Sequence, residues 1–253
     1  MFPTILKIGP LVLSTYGFML AVAFMVGIFL AKQRGLREGI DSTKIEALSF
    51  RVVVAGVLGA RFLYTFVEHA SYYFRHPVEF FYFQKGGLSF MGGLFLAIFV
   101  SLLYCKKHQL SFWQIADIFT PSIALGLSFA KVGCFLAGCC HGKVCDLPWG
   151  VIFNHTDTLA DPKNIPLHPA QLYESFATLM IFFGLLILQK FRSFQGQIFL
   201  IFVIVYGVVR SVLEVFRGQP GKLGFLTTAQ SLSIPMIVLA TLLLIQKFKS
   251  RQT

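Results

Sequence analysis

The chain has 253 residues, of which 56% are apolar, 15% aromatic and only 13% charged, and its mean hydropathy is +0.72. Soluble globular proteins carry about 25% charged residues, so this composition cannot cover a water-facing surface. It excludes a disordered or nucleic-acid-binding protein despite the net charge of +11, because excess Lys and Arg on an apolar chain is typical of cytoplasmic loops and lipid headgroup contacts.

The apolar runs predict an all-α integral membrane protein with seven transmembrane helices. About 20 apolar residues are needed to cross a bilayer as a helix. Seven runs approach that length, and the fourth and sixth are the least uniform because they contain charged or glycine residues. The predicted spans are residues 11–31, 45–66, 87–104, 112–134, 170–189, 196–216 and 228–246.

The distribution of Lys and Arg predicts that the N-terminus lies outside and the C-terminus in the cytoplasm, because cytoplasmic loops are enriched in these residues. They concentrate in short segments after the first, third and fifth spans and in the C-terminal tail, whereas the alternate, longer loops carry fewer. The concentrated residues are Lys32, Arg34, Arg37, Lys44, Lys106, Lys107, Lys190, Arg192, Lys247, Lys249 and Arg251.

We expect a single multi-span transmembrane domain over residues 1–253. The first apolar run is too long for the apolar region of a signal peptide and lacks a small-residue cleavage site, so an uncleaved first helix is expected. The longest polar segment, residues 141–168, follows the fourth span and is expected on the outer side.

Charged side chains inside the spans indicate a functional site, because each costs about 2.5–3.5 kcal/mol to insert at the middle of a helix. Arg210 and Glu214 are four residues apart, with Arg217 one turn further, so they form a stripe on one helix face. An Arg oriented by a Glu suits an anionic lipid headgroup. Structural pairing is the alternative for the other charged residues, which are Arg51, Arg61, Asp117, Lys131 and Glu174.

The third span opens on a glycine-rich stretch, Gly86–Leu94, with the sequence G-G-L-S-F-M-G-G-L. Four glycines in this stretch allow close approach either of a neighbouring helix or of a ligand. The spacing alone favours packing of small residues between helices.

Cysteines and a histidine are concentrated at the end of the fourth span, in Lys131–Lys143 (K-V-G-C-F-L-A-G-C-C-H-G-K), and Cys145 follows. Thiolate and imidazole at this density can bind zinc or copper, although the spacing C-x4-C-C-H-x3-C matches no standard zinc site. A disulfide between Cys145 and Cys139 or Cys140 is a second interpretation on an oxidising outer side. Packing of thiols between helices is the third, and Cys105 is expected to be free in the cytoplasm.

Polar groups also converge where the fifth span begins, in Pro166–Glu174 (P-L-H-P-A-Q-L-Y-E). Pro169 favours a helix start. His168, Tyr173 and Glu174 fall just before this start or near the first turn, so they are expected to form one wall of a site at the outer interface.

Together these segments resemble the bacterial prolipoprotein diacylglyceryl transferase family over nearly the whole chain. The resemblance implies a multi-pass enzyme of the bacterial inner membrane, with seven helices and no cofactor or metal. It implies transfer of the diacylglyceryl group of phosphatidylglycerol to the lipobox cysteine of a preprolipoprotein signal peptide, with release of glycerol phosphate. The implied partners are these two substrates and membrane lipids, with no nucleic acid. The matching segments are Tyr16-Gly17, Gly59–Tyr64, Gly86–Leu94, Lys131–Gly142, His168–Glu174, Arg210–Arg217 and Thr227–Ser231.

Two of the family's motifs are altered in this chain. The family's G-G-L-S-F-H-G-G-L contains a histidine important for activity, and Met91 stands in its place. The family's G-R-x-G-N-F-x-N-x-E is A-K-V-G-C-F-L-A-G-C here, so Lys131 replaces an Arg and Cys139 replaces a Glu. Methionine cannot accept a proton and cysteine cannot replace a carboxylate, so the chain resembles a divergent branch of the family with its own Cys-Cys-His signature.

The chemistry of thiol alkylation assigns expected roles to the matched residues, since it needs a route for the thiol proton and cations on the departing phosphate. His141 is favoured as the base over His168 because it lies in the cysteine-rich signature. The alternatives are a related lipid transferase with a different acceptor, and a lipid-binding or thiol-redox membrane protein without transferase activity. The expected catalytic residues are Arg210, Glu214, His141 and His168, and the expected substrate-binding residues are Tyr16, Arg61, Lys131, Gly133, Gly138, Gly92, Gly93 and Tyr173.

Overall fold

The structure is a computed structural model that describes residues 2–8, 11–81, 87–217 and 227–252. Within these residues, seven helices are long and apolar enough to cross a membrane, which confirms the all-α, seven-span prediction. The helices are α1 (Thr15–Arg37), α2 (Ser42–Leu63), the short α3 (Ala70–Arg75), α4 (Phe90–Lys107), α5 (Phe112–Ala137), α6 (Ala170–Leu188), α7 (Gln197–Arg217) and α8 (Thr228–Gln252). The strands are β1 (Thr4–Ile8), β2 (Leu11–Ser14), β3 (Val151–Ile152) and β4 (Pro166–Leu167).

The first helix begins at Thr15, so the prediction that it starts near residue 11 was wrong. The preceding residues form the antiparallel β1–β2 hairpin instead. The helix starts where it does because Ser14 caps it: the Ser14 hydroxyl accepts the Gly17 N–H at 3.1 Å, which satisfies one of the free donors of the first turn. Apolar character continues across this boundary, so it could not mark the change of backbone structure.

The chain divides into two compact units, Met1–Leu30 with Ala116–Thr253 and Ala31–Ile115. In the second unit α2 packs against α4 through glycines. A Cβ atom on Gly92 would overlap the carbonyl oxygen of Gly59, and one on Gly93 would lie 2.8 Å from the carbonyl oxygen of Gly56. Gly92 and Gly93 therefore serve helix packing, as the spacing favoured, while Gly86 lies outside the described residues.

The first unit explains one of the charged residues in a predicted span. The Asp117 carboxylate is fully buried and accepts the backbone N–H of Gly196 at 2.7 Å and of Phe199 at 2.9 Å. These donors belong to the start of α7, which has no earlier carbonyls to bond them. Asp117 is therefore a structural cap that joins α5 to α7.

The orientation of the termini stays a prediction, and reporter fusions can test it. Because the basic residues concentrate in alternate short loops, alkaline phosphatase fused after Thr253 should be inactive and a fluorescent protein fused there should fluoresce. Phosphatase inserted within residues 157–166 should be active, since this segment is expected outside. Phosphatase activity from the fusion after Thr253 would overturn the N-outside orientation.

Candidate active site

The polar face of α7 forms the centre of the candidate site. Tyr206, Arg210 and Glu214 follow one another at intervals of four residues, so their side chains lie along one helix face. Arg210 Nη1 donates to Glu214 Oε2, and both side chains are largely buried within the first unit. The predicted pairing of Arg210 with Glu214 is therefore confirmed. A buried Arg held by a carboxylate keeps its remaining donors in a defined direction.

A second buried network joins α5, α6 and α7. Lys131 Nζ lies 2.9 Å from Glu174 Oε2, and the Tyr206 hydroxyl donates to Glu174 Oε1 at 3.0 Å. The Glu174 side chain is only 3% exposed, so these two partners must offset the cost of removing its carboxylate from water. Sequence reasoning missed Tyr206, although its position one turn before Arg210 on the same helix face was the available signal.

Arg61 in the second unit has partners other than the expected phosphate. Arg61 is only 1% exposed. Its guanidinium donates hydrogen bonds to the carbonyl oxygens of Phe80 at 2.9 Å, Glu79 at 2.6 Å and Gly87 at 3.1 Å. The Tyr73 ring lies 5.4 Å from the guanidinium carbon. This geometry favours a structural role in which Arg61 holds the segment that precedes α4.

Close packing of α1 against α5 explains Gly133. A Cβ atom on Gly133 would lie 3.0 Å from Met19 Cβ and 3.4 Å from the Tyr16 Cα. The contact with Met19 would be tight, so glycine at this position lets the two helices approach. Tyr16 is thereby held beside the last turns of α5.

The end of α5 folds the cysteine-rich segment back onto the helix. Gly138 has φ +83°, its N–H donates to Phe135 O at 3.2 Å, and the Cys139 N–H donates to Cys134 O at 3.1 Å. This is the Schellman arrangement, which brings the side chain after the glycine against the one in the preceding turn. Gly138 is required by the backbone, since a Cβ atom there would also overlap Thr158.

Three thiols meet as a result. The sulfur atoms of Cys134, Cys139 and Cys140 all lie within 4.8 Å of one another. Every cysteine of the chain is a free thiol in the structure. Cys145 lies outside this thiol cluster, and its backbone N–H donates to Pro166 O at 3.1 Å.

The thiol cluster lines a cavity of about 390 Å³ together with Ser14, Tyr16 and Asp157. Hydrogen bonds from the thiols of Cys134 and Cys139 lower the pKa of Cys140, and the charges of Lys131 and Arg217 lower it further. Desolvation opposes these effects without reversing them. The three thiols therefore form a sulfur-rich part of the wall of a mostly apolar cavity.

The start of α6 positions His168 and Tyr173. The helix begins at Ala170 after Pro169, as predicted. His168 Nδ1 lies 3.3 Å from the Tyr173 hydroxyl oxygen, which accepts the Trp149 indole N–H at 2.9 Å. The His168 ring packs edge-on against Phe216 with 5.4 Å between centroids. Among the described residues, His168 Nε2 has no hydrogen-bond partner.

His141, by contrast, uses both ring nitrogens. The Asp161 N–H donates to His141 Nε2 at 3.3 Å, and Nδ1 lies 2.9 Å from the Gly142 carbonyl oxygen. Since Nε2 accepts, Nδ1 carries the proton and donates. The one basic lone pair of this tautomer, on Nε2, already accepts the Asp161 N–H, so this geometry does not favour His141 as a base.

Gln171, in the first turn of α6, is another residue that sequence reasoning did not single out. Its Nε2 donates to the Cys139 carbonyl oxygen at 2.7 Å. It thereby ties the thiol cluster to the same helix turn that holds Tyr173. The expected site residues thus divide between the units: Arg61, Gly92 and Gly93 lie in the second, and Tyr16, Lys131, Gly133, Gly138, His141, His168, Tyr173, Arg210 and Glu214 in the first.

Comparison with known proteins supplies the family. A model of the family described as prolipoprotein diacylglyceryl transferase matches residues 3–246. Several relatives carry the name phosphatidylglycerol–prolipoprotein diacylglyceryl transferase. The one from Clostridium tetani is 32% identical over 238 residues, covering 94% of each chain. The relative from Bordetella parapertussis is 35% identical, and the match covers 93% of this chain and 91% of the relative. The relative from Bordetella avium is 34% identical, and the match covers 99% of this chain and 97% of the relative. This chain belongs to the prolipoprotein diacylglyceryl transferase family.

Proposed function

We propose that this protein transfers the diacylglyceryl group of phosphatidylglycerol to the lipobox cysteine thiol of a prolipoprotein in the bacterial cytoplasmic membrane. The observation that carries the proposal is the nearly full-length match to relatives named for that reaction. The buried Arg210–Glu214 pair supports it, because the reaction needs a cation for a phosphate in an apolar environment.

Arg210 binds the phosphate of the lipid in this proposal, and Glu214 orients its guanidinium. Lys131 supplies a second cation while it neutralises Glu174, and Tyr206 holds the other oxygen of that carboxylate. Tyr16, which lines the cavity at the end of α5, donates a hydrogen bond to the lipid headgroup. The phosphate would gain negative charge as it leaves, and preformed cations stabilise that charge at no reorganisation cost.

His168 accepts the proton of the acceptor thiol in this proposal. The sulfur then forms a bond to the glyceryl carbon that carries the phosphate. The bond from this carbon to the phosphate oxygen breaks, and its electron pair stays on the oxygen. Glycerol phosphate leaves, and a thioether joins the lipid to the protein acceptor. An imidazole with a reference pKa near 6.5 can take the proton at neutral pH.

Complementation tests the function directly. Expression of the chain in a bacterium depleted of its own diacylglyceryl transferase is expected to restore growth. Mass spectrometry of a lipoprotein's N-terminal peptide should then show the added diacylglyceryl thioether on cysteine. The matched control is the Arg210→Ala/Glu214→Gln chain at equal membrane abundance, which should not complement. An unmodified lipoprotein despite membrane insertion, or lipid on another acceptor, would contradict the proposal.

A further inference from the structure

The thiol cluster of Cys134, Cys139 and Cys140 has the dimensions of a metal site. A zinc–sulfur bond is about 2.3 Å long, so two sulfurs of a tetrahedral site lie about 3.8 Å apart. The three sulfur atoms already lie within 4.8 Å of one another. Small side-chain rotations that bring the sulfur atoms closer by about one ångström or less would therefore let all three bind one ion.

Local backbone structure holds this arrangement. The Schellman turn at Gly138 stacks Cys139 over Cys134. Cys140 follows with φ +61°, a left-handed conformation that is uncommon for a residue with a side chain. Gln171 fixes the Cys139 carbonyl from α6. Such a conformation is kept when surrounding contacts determine it, and it is enriched at functional sites.

The chemistry of the three ligands indicates which kind of ion the thiol cluster would bind. Three thiolates are soft ligands, preferred by zinc and Cu(I) over magnesium or calcium. With a divalent ion the three thiolates would give a site with one net negative charge. The cavity of about 390 Å³ beside the cluster leaves room for a fourth ligand. Three protein ligands with an open fourth position are the pattern of catalytic zinc sites.

We propose that Cys134, Cys139 and Cys140 bind one zinc ion, whose fourth coordination position faces the cavity and accepts the thiol of the acceptor cysteine. The second half of this statement rests on the proposed function. The resemblance of the sequence implied an enzyme without a metal, so the inference departs from that expectation and concerns the cysteines that this chain carries.

The bound ion would prepare the acceptor for alkylation. The acceptor thiol releases its proton, which passes to His168, when its sulfur binds the zinc ion, because a coordinated thiol is deprotonated. The zinc-bound sulfur then forms the bond to the glyceryl carbon, and the carbon–oxygen bond to phosphate breaks with its electrons on the oxygen. The thioether product is a weaker ligand than the thiolate and leaves the zinc ion. No electron is gained or lost overall.

Metal binding is measured on the full chain purified in detergent. After reduction and loading with zinc alone, one zinc per chain is expected, and X-ray absorption should show three sulfur ligands at about 2.3 Å. Cobalt loading should give the absorption of thiolate-bound cobalt. Cys139→Ser and Cys140→Ser should weaken zinc affinity by more than the roughly 10- to 100-fold typical of losing an outer-shell partner.

Cys145→Ser and Cys105→Ser are the matched controls, because both remove a buried thiol outside the cluster, and both should bind zinc as the unchanged chain does. If a cluster variant does not fold, the cobalt spectrum of the unchanged chain still shows whether thiolates bind the metal. Absence of bound zinc, a disulfide within the cluster after purification under reducing conditions, or equal affinity in all four variants would overturn the inference.

Transfer assays separate this inference from the proposed function. Chelator-treated enzyme should transfer more slowly at pH 7 than zinc-loaded enzyme, and the difference should shrink above pH 8.5, where the acceptor thiol ionises by itself. Equal rates with and without bound zinc would overturn the activating role while the transferase function stands. Bound zinc with no transfer under any condition would overturn the proposed function and leave the metal site in place.

Discussion

Replacing Arg210 by Ala is expected to lower the rate of diacylglyceryl transfer by about 10²–10³-fold, the loss typical of removing one preformed donor to a developing negative charge. Arg210→Lys should recover only part of the rate, because an ammonium group cannot reproduce the planar arrangement of guanidinium donors. The measurement is transfer of labelled lipid from phosphatidylglycerol to a lipobox peptide by the purified enzyme.

Misfolding is the competing explanation for such a loss, because Arg210→Ala leaves the buried Glu214 carboxylate without its partner. The double variant Arg210→Ala/Glu214→Gln removes that unpaired charge. It should recover the thermal stability of the protein but not its transfer rate. Val212→Ala, on an exposed face of the same helix, is the control and should retain activity. If the double variant transfers at the normal rate, Arg210 has no part in the reaction.

Replacing His168 by Gln is expected to lower transfer by about 10²–10⁴-fold at pH 7, the usual contribution of a general base. Glutamine keeps a hydrogen-bonding side chain but cannot take up a proton. The acceptor thiol has a reference pKa near 8.5, so it is mostly protonated at pH 7 and needs a base. As the pH rises above 8.5 the thiol ionises without help, and the difference between the variant and the unchanged enzyme should decrease.

His141→Gln is the matched comparison, because both imidazoles belong to the first unit and the ring nitrogens of His141 are hydrogen-bonded. Its transfer rate should fall by less than that of His168→Gln, and any loss should not depend on pH between 6 and 9. The opposite result, with a pH-dependent loss in His141→Gln alone, would assign the base to His141. Unchanged rates in both variants would leave no role for either imidazole.

The sequence alone determined what depends on near neighbours in the chain. Apolar runs of bilayer length predict the seven spans, because each span buries a nearly continuous apolar surface in lipid. The pairing of Arg210 with Glu214 follows from four-residue spacing on a helix. The meeting of Cys134 with Cys139 was also accessible, since glycine at Gly138 favours the Schellman turn that joins them, whereas the spacing of the cysteines left metal binding, a disulfide and packing between helices all open.

Other features depend on which helices pack together, and spacing along the chain carries no such information. Glu174 meets Lys131 from α5 and Tyr206 from α7, residues that are far from it in sequence. The buried Arg61 guanidinium donates hydrogen bonds to three backbone carbonyl oxygens that follow α2 in the chain. Asp117 caps α7 rather than marking a site. In lipid every buried charge or backbone donor must find a partner within the protein. The sequence shows that such partners exist, and only the tertiary structure shows which they are.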